Sequence, residues 1–234
     1  MDRGYFYSPI QYILFLIYFF ILFIFSMALI FIIPYTFERL GINPFLALLL
    51  FWLSLIGSFI NIPIYRMKSR VPIIRERYVN FWGIRYRIPY VEYENTTLAV
   101  NVGGAIVPVF ISILIFISLL LNHLYFVIIK TLVGISITTL ISFIFARPVK
   151  GLGIALPAFI PPIVAALMGI FLGYSSPYQA ARIAYVSGTL GTLIGADLLH
   201  LKDIANLGAP VASIGGAGTF DGIFLSGIIA VFLV

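Results

Sequence analysis

Cysteine is absent from the 234 residues, and charged residues make up only 9% of them. The absence of cysteine excludes disulfides and thiolate chemistry. The two histidines, His123 and His200, show no HExxH or clustered Cys/His spacing, so we predict neither a metal site nor a cofactor. The sequence also lacks GxxxxGK[ST] and GxSxG motifs, which leaves nucleotide binding and serine hydrolysis without support.

Hydrophobic residues form 62% of the chain, which is incompatible with a soluble core wrapped in a polar surface. A membrane helix needs about 20 apolar residues, and that length divides the chain into about seven spans. We therefore predict an all-α, polytopic membrane helical bundle. The predicted spans are 10–33, 44–63, 98–120, 124–145, 152–172, 178–200 and 210–234.

Lysine and arginine concentrate between the second and third predicted spans, and such residues favour the cytoplasmic side. There, basic and aromatic residues interleave in "RERYVNFWGIRYRIPYVEY" with a period near two, which predicts a small hairpin turning near Gly83. We predict that the loop from Tyr65 to Thr97 is cytoplasmic and contacts anionic lipid head groups, with no nucleic acid as a partner. The N-terminus is then cytoplasmic and the C-terminus outside, in the inner or plasma membrane of the cell.

Composition divides the chain into three regions. Residues 1–63 hold two anchor spans rich in Phe, Ile and Leu, and residues 64–97 form the basic aromatic loop. Residues 98–234 form a membrane core whose last three spans are rich in Gly, Ala, Pro, Ser and Thr, residues that permit close helix contacts and broken helices. We therefore expect the function to lie in the second half of the chain.

Two aspartates stand in this core, where a carboxylate is costly and indicates a functional site. Asp197 lies near the cytoplasmic end of the sixth span, in "GTLIGADLLHL", and Asp221 follows the glycine-rich "GAPVASIGGAG". If a helix begins only after Gly218, Asp221 lies in its first turn at the same depth as Asp197. Two such carboxylates share a proton, so that one activates a water while the other protonates a carbonyl oxygen. The simpler alternative is that each aspartate caps a helix.

This pair predicts an intramembrane aspartyl hydrolase acting on a transmembrane peptide. We expect Pro157, Ala158 and Phe159 to form a wall of the substrate site, because the prolines of this span break its helix. We also predict that the segment "APVASI" is a strand on which an unwound substrate adds. Further substrate contacts are expected at the glycines that follow this segment, which are Gly215, Gly216 and Gly218.

Short fragments resemble intramembrane aspartyl proteases of the presenilin and signal peptide peptidase type. "FDGIFLSG" is similar to the segment around the second catalytic aspartate of that group, and "ALPAF" is similar to its P-A-L motif. The resemblance implies catalytic roles for Asp197 and Asp221. Three departures stand out: Gly-Thr-Phe-Asp replaces the G-x-G-D motif, Ala196 occupies the place of a tyrosine, and "ALPAF" precedes both aspartates instead of following them.

Longer segments resemble an uncharacterised prokaryotic family of multi-pass membrane proteins, the domain of unknown function 1614 family. The resemblance implies a membrane fold and relatives without an established activity. The segments are "NVGGAIVPVFI", "RPVKGLGIALPAFIPPIVAAL", "SGTLGTLIGADLLHL" and "LGAPVASIGGAGTFDGIFLSGIIAV".

Two other functions stay open at this point. "VNVGGAIVPVFIS" is echoed by "ASIGGAGTFDGIFLS", and glycine-broken segments in corresponding positions are typical of transporters. Asn101, Asn206 and Asp221 would then supply oxygen ligands for a coupling Na⁺ or H⁺. The third reading is a non-catalytic membrane scaffold whose basic loop recruits a partner.

Overall fold

The computed structural model describes residues 9–69, 71–81, 84–92, 95–150, 153–216 and 222–234. Most of these residues are helical. The α-helices are α1 (Pro9–Arg39), α2 (Pro44–Gly57), α3 (Val107–Leu121), α4 (Tyr125–Phe145), α5 (Ile160–Leu172), α6 (Pro177–Thr192) and α7 (Gly222–Leu233). The strands are β1 (Asn61–Lys68), β2 (Ile73–Phe81), β3 (Ile84–Glu92), β4 (Asn95–Asn101), β5 (Arg147–Val149), β6 (Gly153–Ala155) and β7 (Val211–Ile214).

Long apolar helices make this a membrane protein by length and composition. Within the described residues, Val102–Leu121 and Tyr125–Phe145 are long and apolar enough to cross a membrane. The stretches Ile33–Arg39 and Pro44–Gly57 meet at 117° and raise the number to three if they form one broken span. The predicted count of seven spans stays a prediction.

The fold is mostly helical, as predicted, but it is not all-α, because the described residues also form three small sheets. In the first sheet β4 pairs antiparallel with β1 and parallel with β7. Its strands come from distant parts of the sequence, so their pairing leaves no local signal in the hydrophobic pattern. The predicted hairpin is confirmed by β2 and β3, which pair antiparallel with Phe81 opposite Ile84. Strands β5 and β6 form another short antiparallel pair.

The first sheet gathers helix ends at one side of the bundle. Strand β1 follows α2, whereas β4 and β7 precede α3 and α7. A π-turn at Val102–Ile106 joins β4 to α3, and the Asn101 side chain caps it by accepting from the Gly104 amide at 2.7 Å. Because β4 pairs with both other strands, the C-terminal end of α2 and the N-terminal ends of α3 and α7 lie close together.

Helix α6 is the centre of the core. Its residues 183–189 are all buried, and Tyr185 is fully enclosed beside Phe37 of α1, with ring centroids 6.4 Å apart. Glycines let neighbouring helices approach it closely. A Cβ atom on Gly191 would lie 2.6 Å from Cβ of Thr138, and one on Gly195 would lie 2.7 Å from Cβ of Ser142. Small residues thus place α4 directly against α6 and its continuation, as in many membrane helix pairs.

Candidate functional site

Asp197 stands in a π-turn, Leu193–Leu198, which continues α6. A π-turn holds one residue more than an α-turn. Five residues before Asp197, the Thr192 hydroxyl lies 3.2 Å from that of Ser226 on α7. Asp197 itself contacts the segment that follows β7, at Gly215.

The Asp197 carboxylate is held by the segment that follows β7. Its Oδ2 accepts a hydrogen bond of 2.9 Å from the backbone amide of Gly215. Gly215 and Gly216 have φ angles of 82° and 97°, a left-handed conformation that glycine adopts at little cost. A side chain at Gly215 would also collide with Ala105, since its Cβ would lie 2.6 Å from that of Ala105. Glycine is thus required where the chain turns toward the carboxylate.

A small cavity of about 140 Å³ opens beside Asp197. Strand β7 and the residue Gly216 form one wall, and Gly153 and Ile154 of β6 contribute to the lining. This volume holds several water molecules, each of which needs roughly 10–15 Å³ of such space. The cavity therefore brings a carboxylate, a strand and space for water together. Its other lining residues are Ile204, Leu207 and Ala209.

Sequence reasoning missed His200 as a neighbour of this site. The side chain is 94% buried, and its Nδ1 lies 3.2 Å from the Gly195 carbonyl oxygen. Its ring packs against Phe143 of α4, with centroids 4.8 Å apart. The available signal was its spacing of three residues from Asp197, which puts two titratable side chains within one turn.

Asp221 and Gly218 lie outside the described residues. Asp221 immediately precedes Gly222, the first residue of α7. The predicted pairing of the Asp197 and Asp221 carboxylates therefore stays a prediction.

The segment Pro157 to Phe159 lies outside the Asp197 cavity. All three residues are exposed, and Pro157 lines a neighbouring groove of about 510 Å³ at the end of α4. None of the three is among the residues that line the Asp197 cavity.

Asn101 and Asn206 have different environments. Asn101 is buried, and its side-chain amide donates to the Ser58 carbonyl at 2.7 Å and to Asn61 Oδ1 at 3.0 Å. Together with its bond from Gly104, these contacts fasten β4 to the end of α2. Asn206 is exposed at the end of the 3₁₀ helix Leu201–Asn206. The polar atoms of the Asn101 side chain thus make hydrogen bonds that stabilise the fold.

No group of three or more His, Asp or Glu side chains that would hold a metal ion is found among the described residues. No curated protein and no solved structure matches the chain, so these comparisons lend no support to the presenilin resemblance. Residues 55–233 match a family described as a protein of unknown function (DUF1614). Because this match covers most of its length, the chain belongs to the DUF1614 family.

Proposed function

We propose that the protein is an intramembrane aspartyl hydrolase in which Asp197 and Asp221 share the catalytic work. The observation that carries this proposal is the hydrogen bond between Asp197 and the Gly215 amide at a cavity with space for several water molecules. Few physical reasons other than catalysis or ion binding place a carboxylate in the core of a membrane protein.

The packing at the start of α7 supports a role for Asp221. Ile223, two residues after Asp221, is buried in one cluster with Leu193 and Ile214. Leu193 lies four residues before Asp197, and Ile214 directly precedes Gly215. The first turn of α7 therefore packs against the two segments that position the Asp197 carboxylate. Gly215 and Gly216 also lie outside any helix, as expected if the last helix begins only after Gly218.

The chemistry follows from two carboxyl groups that hold one proton between them. The ionised carboxylate takes a proton from a water, whose oxygen attacks the carbonyl carbon of a peptide bond. The protonated carboxyl donates its proton to the carbonyl oxygen, which gives a neutral tetrahedral intermediate. When the carbon–nitrogen bond breaks, the amine nitrogen receives a proton and a new carboxyl group is left on the other product.

Strand β7 supports the substrate class that we propose, an extended segment of a transmembrane peptide. Among the described residues, β7 pairs in its sheet with β4 on one side only, so its other edge is available to a further strand. An added strand would bond to backbone groups next to Asp197. A transmembrane helix must unwind to bind in this way, which exposes its peptide bonds to the catalytic groups.

The membrane topology is also part of the proposal: about seven spans, a cytoplasmic N-terminus and an external C-terminus in the cell membrane. The supporting observation is that the strands beside Asp197 lie where α2, α4 and α6 end and where α3, α5 and α7 begin. Helices that alternate in this manner are expected when successive spans cross a membrane in opposite directions.

Hydrolysis is tested with purified protein, a library of transmembrane peptides and water enriched in ¹⁸O. We expect cleavage with one ¹⁸O atom in the new carboxyl group, and no cleavage by either Asp197→Asn or Asp221→Asn. Robust cleavage by both single variants would end the proposal. Sodium- or proton-driven uptake that depends on Asp221, without cleavage of any library member, would favour ion-coupled transport instead.

A further inference from the structure

The hairpin of β5 and β6 has two faces that line different spaces. Arg147 pairs with Ala155, and both line the groove of about 510 Å³ at the end of α4. The next pair is Pro148 with Ile154, and Ile154 lines the cavity at Asp197. Since successive residues of a strand point to opposite sides, one hairpin forms a wall of both spaces.

Among the described residues, the lining of the groove is apolar except for one arginine. The volume of the groove falls within the roughly 300–1,000 Å³ of small-molecule sites. Phe145, Arg147 and Val149 are exposed, so the groove is open on its outer side. The described residues that line it are Phe145, Arg147, Val149, Ala155, Leu156 and Pro157.

All charged residues in and near this hairpin are basic. Arg147 and Lys150 stand on the hairpin, and residues 145–160 contain no Asp or Glu. Arginine suits phosphate oxygens because its planar group donates two parallel hydrogen bonds. An apolar surface beside an arginine side chain is complementary to a molecule that has an acyl chain and an anionic head group.

We propose that this groove binds one anionic phospholipid, with the phosphate at Arg147 and an acyl chain along Phe145, Val149 and Leu156. This site is separate from the basic loop at 65–97 and does not depend on whether Asp197 is catalytic. Because the opposite face of the hairpin lines the Asp197 cavity, the lipid also fixes a wall of that cavity.

The test measures binding of phosphatidylglycerol and phosphatidylcholine with identical acyl chains to the purified full chain, by native mass spectrometry. We expect phosphatidylglycerol to bind about fivefold more tightly, the effect of one cation near a membrane surface. Arg147→Gln should remove this preference. Lys150→Gln is the matched control, since it removes a charge from the same hairpin outside the groove, and it should keep most of the preference.

Two further measurements distinguish the contribution of the head group to binding from that of the acyl chain. Ala155→Trp fills the groove and should weaken the binding of both lipids, and glycerol 3-phosphate should not compete with phosphatidylglycerol. Equal binding of the two lipids, or equal effects of Arg147→Gln and Lys150→Gln, would overturn the proposal. Competition by glycerol 3-phosphate would overturn the acyl-chain contact. If Ala155→Trp does not fold, as judged by thermal unfolding, the two charge variants decide the matter.

Discussion

Two helical segments differ in their exposure: residues 13–21, here called the outer part of α1, and the helix α6. In α1, Leu14 and Phe19 are 59% and 61% exposed, and residues 13–21 are all exposed. In α6, residues 183–189 are all buried although they include Tyr185, Ser187 and Thr189. The more hydrophobic helix is therefore the one outside, because lipid tails solvate apolar side chains as well as a protein core does.

The two segments also differ in their position relative to the family match. The family match begins at residue 55, after both α1 and most of α2, and includes α6 with Asp197. Polar and small residues are thus concentrated in the part of the chain that defines the family. We infer that α6 and its neighbours perform the function and that the outer part of α1 is an anchor.

The largest expected effect is that of Asp197→Asn on cleavage. An amide cannot exchange the shared proton, so we expect a loss of about 10⁴-fold in rate, as for catalytic carboxylates elsewhere. Asp203→Asn is the control, because Asp203 lies in the same region but does not line the cavity. The rate is measured with a cleavable transmembrane peptide. Equal rates for the two variants would remove Asp197 from the mechanism.

The second largest effect is expected at the contact between α1 and α6. Phe37 is fully buried against Tyr185, so Phe37→Ala should lower the free energy of unfolding by about 3–5 kcal/mol. Denaturation in detergent micelles measures the change. A loss below 1 kcal/mol would mean that the inner end of α1 does not pack on α6.

A smaller effect is expected at the contact between α4 and the π-turn after α6. A Cβ at Gly195 would lie 2.7 Å from Cβ of Ser142, so Gly195→Ala should destabilise the fold by about 1–3 kcal/mol. Gly222→Ala is the matched control, since a Cβ there meets no atom within 4 Å, and its stability should be unchanged or slightly higher. Thermal unfolding of both variants makes the comparison. Equal stability would contradict the close packing of α4.

The smallest effect is expected on the exposed side of α1. Leu16 is 65% exposed, so Leu16→Ala should change the stability by less than about 0.5 kcal/mol. The same unfolding assay is used as for Phe37→Ala. A loss similar to that of the Phe37 variant would show that the outer part of α1 is packed against protein and not lipid.

Local patterns predicted part of this structure. The alternation around Gly83 predicted the β2–β3 hairpin, and the glycines before Asp221 predicted that no helix runs through Gly215 and Gly216. Both features depend on residues that are close in sequence. The small residues of the last three spans likewise predicted close helix contacts, as at Gly188, where a Cβ would lie 2.9 Å from the Ser226 carbonyl oxygen of α7.

The features that the sequence did not predict depend on contacts between distant segments of the chain. The pairing of β4 with β7 joins Thr97 to Val211, and no local pattern specifies such a partner. The bond from Gly215 to Asp197 likewise depends on the left-handed turn after β7. Of the hairpin at 147–155, residues 152–155 are predicted as the start of the fifth span, and the cavity that β6 lines is invisible in the sequence.

The distance between the carboxyl oxygens of Asp197 and Asp221 tests the central claim most directly. An experimental structure of the full chain in lipid, with both side chains resolved, supplies it. We predict about 7 Å or less, a separation that one water bridges in a resting site. An Asp221 side chain on the far side of α7, directed away from the cavity beside Asp197, would contradict the proposed hydrolase.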